Sequence, residues 1–236
     1  MQVAEYGSAP AGTQVGMQGV RRKVWDIPTR IVHWLLVGLV ALSWWTAENN
    51  RLDIHRWSGY SVFALVLFRI LWGFAGSTTA RFASFVRGPR AVAAYAKEHL
   101  FGRSHVTAGH NPMGGWSIVA MLAVLATQIG TGLFSVDVDG IESGPLSYLV
   151  SFDSGRALAK VHHLSFNVLL GLIALHLAAV LFYCLYKREA LISAMILGVK
   201  QLPHAHTELR FAPWWRLLVV AVAAVLIVAA VVATEG

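Results

Sequence analysis

Five stretches of the chain stay apolar for about twenty residues, the length an α-helix needs to cross a hydrocarbon layer about 30 Å thick. They fall at 30–46, 55–76, 114–134, 160–186 and 214–233. The pattern therefore predicts five transmembrane helices. Between the second and third, PRAVAAYAKEHLFG places its apolar residues at helical spacing from Pro89 to Gly102. This predicts a short amphipathic helix on the membrane surface. The connection over 135–159 is irregular and acidic, with Gly140, Gly144 and Pro145. It offers a face for a basic or haem-bearing partner. The fifth stretch, LLVVAVAAVLIVAAVVA, has no polar residue. It carries no chemistry and is expected to pack on the bundle, on lipid or on a partner helix.

Lys and Arg set the expected orientation. Arg21, Arg22, Lys23 and Arg30 precede the first span, Arg81, Arg87, Arg90, Lys97 and Arg103 follow the second, and Lys187, Arg188, Lys200 and Arg210 follow the fourth. The opposite loops hold Glu48, Asp53, Asp137, Asp139, Glu142 and Asp153. The positive-inside rule puts the amino terminus in the cytoplasm, and five spans leave the carboxyl terminus outside.

Polar residues inside the spans are then the candidates for chemistry. His162 and His176 lie fourteen residues apart in one helix, which is about 40° short of four full turns and roughly 21 Å along the axis. Both imidazoles point from nearly one face, one toward each side of the membrane. With the alternating direction of the spans, His33 comes level with His176 near the inner surface, and His55 level with His162 near the outer one. Two imidazole pairs at two depths suit bis-histidine coordination of two b-type haems. His163 points about 100° away from His162 and stays an alternative outer ligand. Gly38, Gly59 and Gly171 lie within about a turn of the histidines, where a porphyrin could approach the backbone. Arg30, Arg56 and Lys160 lie near the membrane edges where propionates would emerge. Arg69, fourteen residues beyond His55, falls level with the inner pair, and an intramembrane Arg demands an anionic partner such as a propionate. His110 in GHNPMGG is expected in a cap or turn, bordering the inner haem or a quinone pocket. His99, His105, His204 and His206 fall in cytoplasmic loops and are read as solvated. Six of the nine tryptophans cluster at span ends, as interfacial anchors do.

Composition agrees. The 236 residues are 56% hydrophobic and 13% charged, with a mean hydropathy of +0.59, outside the range of soluble domains. The net charge of +7 flanks apolar segments and sets topology, so nucleic acid is not expected as a partner. Cys184 is the one cysteine, and no C-x-x-C-H occurs. An internal disulfide, a cysteine-ligated cluster and a c-type haem attachment are thereby excluded. Residues 1–23 read as a flexible cytoplasmic tail without the apolar core of a signal peptide. The domain reading is this tail, a dihaem four-helix membrane domain over 24–203, and a linker with the extra helix over 204–236. The fold class is an all-α integral membrane protein, a four-helix haem-binding bundle with a fifth carboxyl-terminal transmembrane helix.

The motifs VWDIPTRIVHW, HRWSGY, FRILWGFAG, FVRGP, GHNPMGGW and the HH…LH helix, spread over Val24 to Pro203, resemble the bacterial cytochrome b561 family and the related b-type cytochrome subunit of nickel–iron hydrogenases. The resemblance implies a four-helix core with two b haems ligated by His33, His55, His162 and His176. It also implies a bacterial inner-membrane location and electron transfer between the quinone pool and a periplasmic cytochrome c or dehydrogenase subunit. The fifth helix and long tail depart from the family pattern. An alternative is a stand-alone superoxide:quinone oxidoreductase, with Arg51, Arg56 and Lys160 as a cationic funnel at the outer haem. A colourless helical scaffold or transporter is a third reading, disfavoured by the paired histidines. A homodimer, the direction of electron flow and the partner remain open. If Arg69 faces the inner haem, Arg69→Leu lowers that haem's potential in a redox titration, and unchanged potentials at both haems would sink the pairing.

Overall fold

The computed structural model describes residues 20–100, 107–138, 142–202 and 208–235. The tail over 1–19 and His105, His204 and His206 lie outside the described residues. Five long helices make the body: α1 (Ile27–Glu48), α2 (Leu52–Ala75), α5 (Pro112–Phe134), α6 (Phe152–Leu185) and α8 (Trp214–Val232). All five are long and apolar enough to cross a membrane. The shorter helices are α3 (Phe82–Phe85), α4 (Pro89–Leu100) and α7 (Leu191–Leu197). The amphipathic stretch expected from Pro89 is thus α4. The end of the bundle where α1 begins is called proximal below, and the opposite end distal.

Local chemistry explains where the helices start. Asp26 caps α1 by accepting from Thr29 N at 2.9 Å, with Pro28 in the first turn. Asn111 caps α5 by accepting from Gly114 N at 2.7 Å, ahead of Pro112. Both satisfy amide donors that a helix start leaves open. Between α1 and α2 the chain turns within three residues, with Asn50 at φ 52. α6 begins at Phe152, capped by Ser151, rather than near residue 160. At 34 residues it is about 51 Å long, so it carries His162 and His176 well inside its ends.

α2 is the central helix, packing on α1, α5 and α8, while α5 and α6 form the second hairpin. Val62 and Val66 of α2 meet Leu122 and Leu125 of α5 and Leu169 of α6 in one core. Val32, Phe68 and Trp72 meet Val220 and Ala224 of α8 in another. The fifth span therefore packs on the bundle, through a stripe at Val220, Ala224 and Val228 that repeats every four residues.

A small proximal cap was not legible in the hydropathy pattern. Val20–Lys23, assigned above to a flexible tail, form β1, antiparallel to β2 (Val199–Leu202) with Val20 opposite Leu202. Gly198 ends α7 at φ 80, a conformation glycine adopts without strain. Its carbonyl accepts from Val24 N at 2.8 Å and Trp25 N at 3.2 Å. Val24, Trp25, Ala194 and Leu202 fill the space beneath.

Asp26 joins this cap to the bundle, because its second carboxylate oxygen accepts from Trp72 Nε1 of α2 at 3.0 Å. Asp26→Ala removes the cap of α1 and leaves a fully buried indole donor unpaired. The expected loss is about 2–4 kcal/mol. Unfolding in mixed micelles checks it, with Asp26→Asn retaining most of the stability.

Candidate functional site

The distal pair is built from four helices. His55 of α2 and His162 of α6 face each other with ring centroids 6.2 Å apart and planes at 82°. His163 is exposed, so His162 is the histidine that α6 brings to His55. His55 Nδ1 lies 2.8 Å from the carbonyl oxygen of Ser43 on α1. His162 Nδ1 lies 2.9 Å from the carbonyl oxygen of Gln128 on α5. A carbonyl only accepts, so both rings carry the proton on Nδ1 and present a lone pair at Nε2. The Gln128 amide donates to that lone pair on His162 at 2.9 Å. Ser165 donates to the other end of the amide, and Thr131 Oγ1 lies 3.4 Å from His162 Nδ1. Ser43 and Ser58 hydroxyls meet at 2.7 Å beneath His55.

Gln128, Thr131, Ser165 and Ser43 escaped the sequence reading. Their signal was present in part: Gln128 is an amide in mid-span, and Ser165 stands three residues after His162, hence on its side of the helix.

The proximal pair is His33 of α1 and His176 of α6, both half-buried and within electrostatic reach of each other. His33 stands edge-on to Trp34 at 5.0 Å. Arg69 of α2 is 7% exposed, with its guanidinium over the Phe82 ring at 5.4 Å. His110 is in the turn before α5, as expected, but it also belongs to this end. It packs on Trp25 at 4.6 Å and Phe85 at 5.0 Å. Arg69, His176 and His33 all act on it electrostatically.

Of the other expected cofactor cations, two have partners in the chain. Arg30 donates Nε to Met195 O at 3.3 Å and Nη2 to Ile196 O, which ties α1 to the end of α7. Arg56 pairs with Glu142, and Lys160 is exposed. Of the three glycines, each has open space where a side chain would begin, but only Gly59 shares a face with its histidine. Gly171 lies half a turn round α6 from His162, and Gly38 about 140° round α1 from His33. Both are exposed and are removed from the cofactor face. His99 lies in α4.

These pairs fit a group that brings most of its own ligands. Among the described residues no three or more His, Cys, Asp or Glu gather to hold a bare ion. At the distal pair, two imidazoles with Nδ1 oriented by carbonyls are what a porphyrin iron takes on its two axial sides. Buried donors at Arg69 Nη1 and His33 Nδ1 have no hydrogen-bond partner in the chain, so the proximal end has donors to offer such a group.

Gly132 of α5 approaches His162 closely: a methyl group there would stand 3.0 Å from Cε1. Gly132→Ala is expected to turn the ring and lower cofactor content at the distal site several-fold, with the proximal site unchanged. Quantifying bound haem in this variant checks it.

Comparison with protein-family models matches residues 24–198 to the family described as prokaryotic cytochrome b561. No curated protein matches the chain.

Proposed function

The chain belongs to the prokaryotic cytochrome b561 family, and from that premise we propose that it is a two-haem electron carrier of the bacterial inner membrane. Membership makes it a multi-pass membrane b-type cytochrome of electron transfer. The finer reading is that His55 and His162 hold a distal haem, and His33 and His176 a proximal one. The observation that carries it is the facing of His55 and His162 across two helices with both Nδ1 atoms committed to backbone carbonyls.

Bound haem supplies a one-electron iron couple, and the chain does the rest. The Ser43 and Gln128 carbonyls orient the distal imidazoles through Nδ1, and the Gln128 amide that donates to His162 Nε2 would yield that lone pair to the iron. α2 and α6 together span the distance between the two levels, so the two pairs would hold one haem toward each membrane face. The excess of Lys and Arg beside the proximal end puts that end in the cytoplasm and the carboxyl terminus in the periplasm. A quinol at one face and a redox protein at the other are the exchange partners this placement allows.

The superoxide reading needs a cationic funnel at the distal end. Arg56 is paired with Glu142, and Arg51 lies 3.8 Å from Asp53. That leaves Lys160, and no observation favours this reading over simple electron transfer.

A pyridine haemochrome assay with protein quantitation tests the proposal. The purified chain should carry about two b haems, and His33→Ala and His55→Ala should each lose about one. A stoichiometry near one with either variant unchanged would show that one pair is only structural.

A further inference from the structure

Four buried side-chain polar atoms among the described residues have no hydrogen-bond partner: Thr29 Oγ1, His33 Nδ1, Arg69 Nη1 and His110 Nδ1. All four are at the proximal end, whereas both distal imidazoles are satisfied at Nδ1. Leaving a buried polar group unpaired costs about 1–3 kcal/mol, and more for a charged one. Such a cluster marks a place where an acceptor arrives from outside the chain.

Arg69 and His110 are the two donors suited to an anion. The carboxylate that acts on Arg69, Asp26, has both oxygens engaged, one by Thr29 N and one by Trp72 Nε1. Arg69 Nη1 nonetheless has no hydrogen-bond partner in the chain. His110 is held between Trp25 and Phe85, so packing fixes its ring. Burial and the charges around it, Arg69, His176, His33 and Lys200, hold its pKa down to about 3. The imidazole therefore stays neutral at physiological pH, a donor that adds no second cation. One guanidinium and one neutral donor can address the two oxygens of a single carboxylate.

We infer that Arg69 and His110 form a two-donor carboxylate site beside His33 and His176, and that its occupant is a propionate of the proximal haem. The inference rests on the two-haem reading and assigns His110, which that reading does not use, to contact with the cofactor. Phe82 and Phe85 lie between the two donors, edge-on to each other with ring centroids 5.8 Å apart, so the site is formed where α2, α3 and the turn before α5 converge. His110 positions the porphyrin and does not ligate iron.

The test compares haem b with its dimethyl ester, in which both carboxylates are blocked, each reconstituted into the full-length chain. The proximal signal is the one that His33→Ala removes. His110→Phe keeps the ring stack and deletes the donor. With haem b it should lower the proximal reduction equilibrium three- to tenfold, at most about 59 mV, and His110→Gln should restore most of it. With the ester, His110→Phe should change the equilibrium less than twofold. No change with haem b, or an equal change with the ester, overturns the carboxylate assignment while leaving the haem count at two. A haem count that His33→Ala does not lower overturns the two-haem reading, and this inference with it. Should His110→Phe fail to fold, Arg69→Lys against Arg69→Gln carries the same comparison between the two haem forms.

Discussion

A polar side chain inside a hydrocarbon layer has no water to turn to, so it must find its partner in the protein or in a group the protein carries. That constraint divides the bundle into two unlike ends. At the distal end the chain supplies its own partners. The imidazoles rest on the carbonyls of Ser43 and Gln128, the Gln128 amide spans from His162 to Ser165, and two serine hydroxyls meet beneath His55. At the proximal end the donors of His33, Arg69 and His110 are buried without partners.

The helical frame holds these groups at their levels. α2 contacts α1, α5 and α8, and through Trp72 it is bonded to the carboxylate that starts α1. A shift of α1 along α2 would break that bond and the seat of His55 on Ser43 together. α6 reaches the first hairpin through Leu169 against Val62 and Val66, through His162 against His55, and through Phe166 against Trp44 of α1 at 6.1 Å.

Charge differs between the ends in the same sense. Distal cations are paired at the surface, Arg56 with Glu142 and Arg51 with Asp53. An exposed pair of this kind adds little and is screened by salt. The proximal cation is buried, so its field acts through a low dielectric and falls on the neighbouring site with far less screening.

The five spans, the surface helix from Pro89 and the depths of the four histidines were legible in the sequence, because hydrocarbon thickness sets span length and the helical repeat sets which residues share a face and a level. Membership of the family was legible for a related reason, since its motifs lie on those same spans. Other features needed the folded chain. Hydropathy says nothing of a four-residue strand, so β1 passed as tail until β2, some 180 residues later, was beside it. Wheel geometry ranks His162 and His163 as neighbours, and only the packing of α6 on α5 decides which one meets α2. Proximity in sequence placed Gly38 and Gly171 near ligands that the turn of the helix puts on another face. Arg30 and Arg56 looked available because a sequence shows a cation but not the carbonyls or carboxylate that the tertiary fold brings to it. His110 passed as a turn residue because its neighbours, Trp25, Phe85 and Arg69, come from three other parts of the chain. What a residue is and how deep it lies are local properties of the chain, whereas what it touches depends on distant segments, which only the tertiary structure brings together.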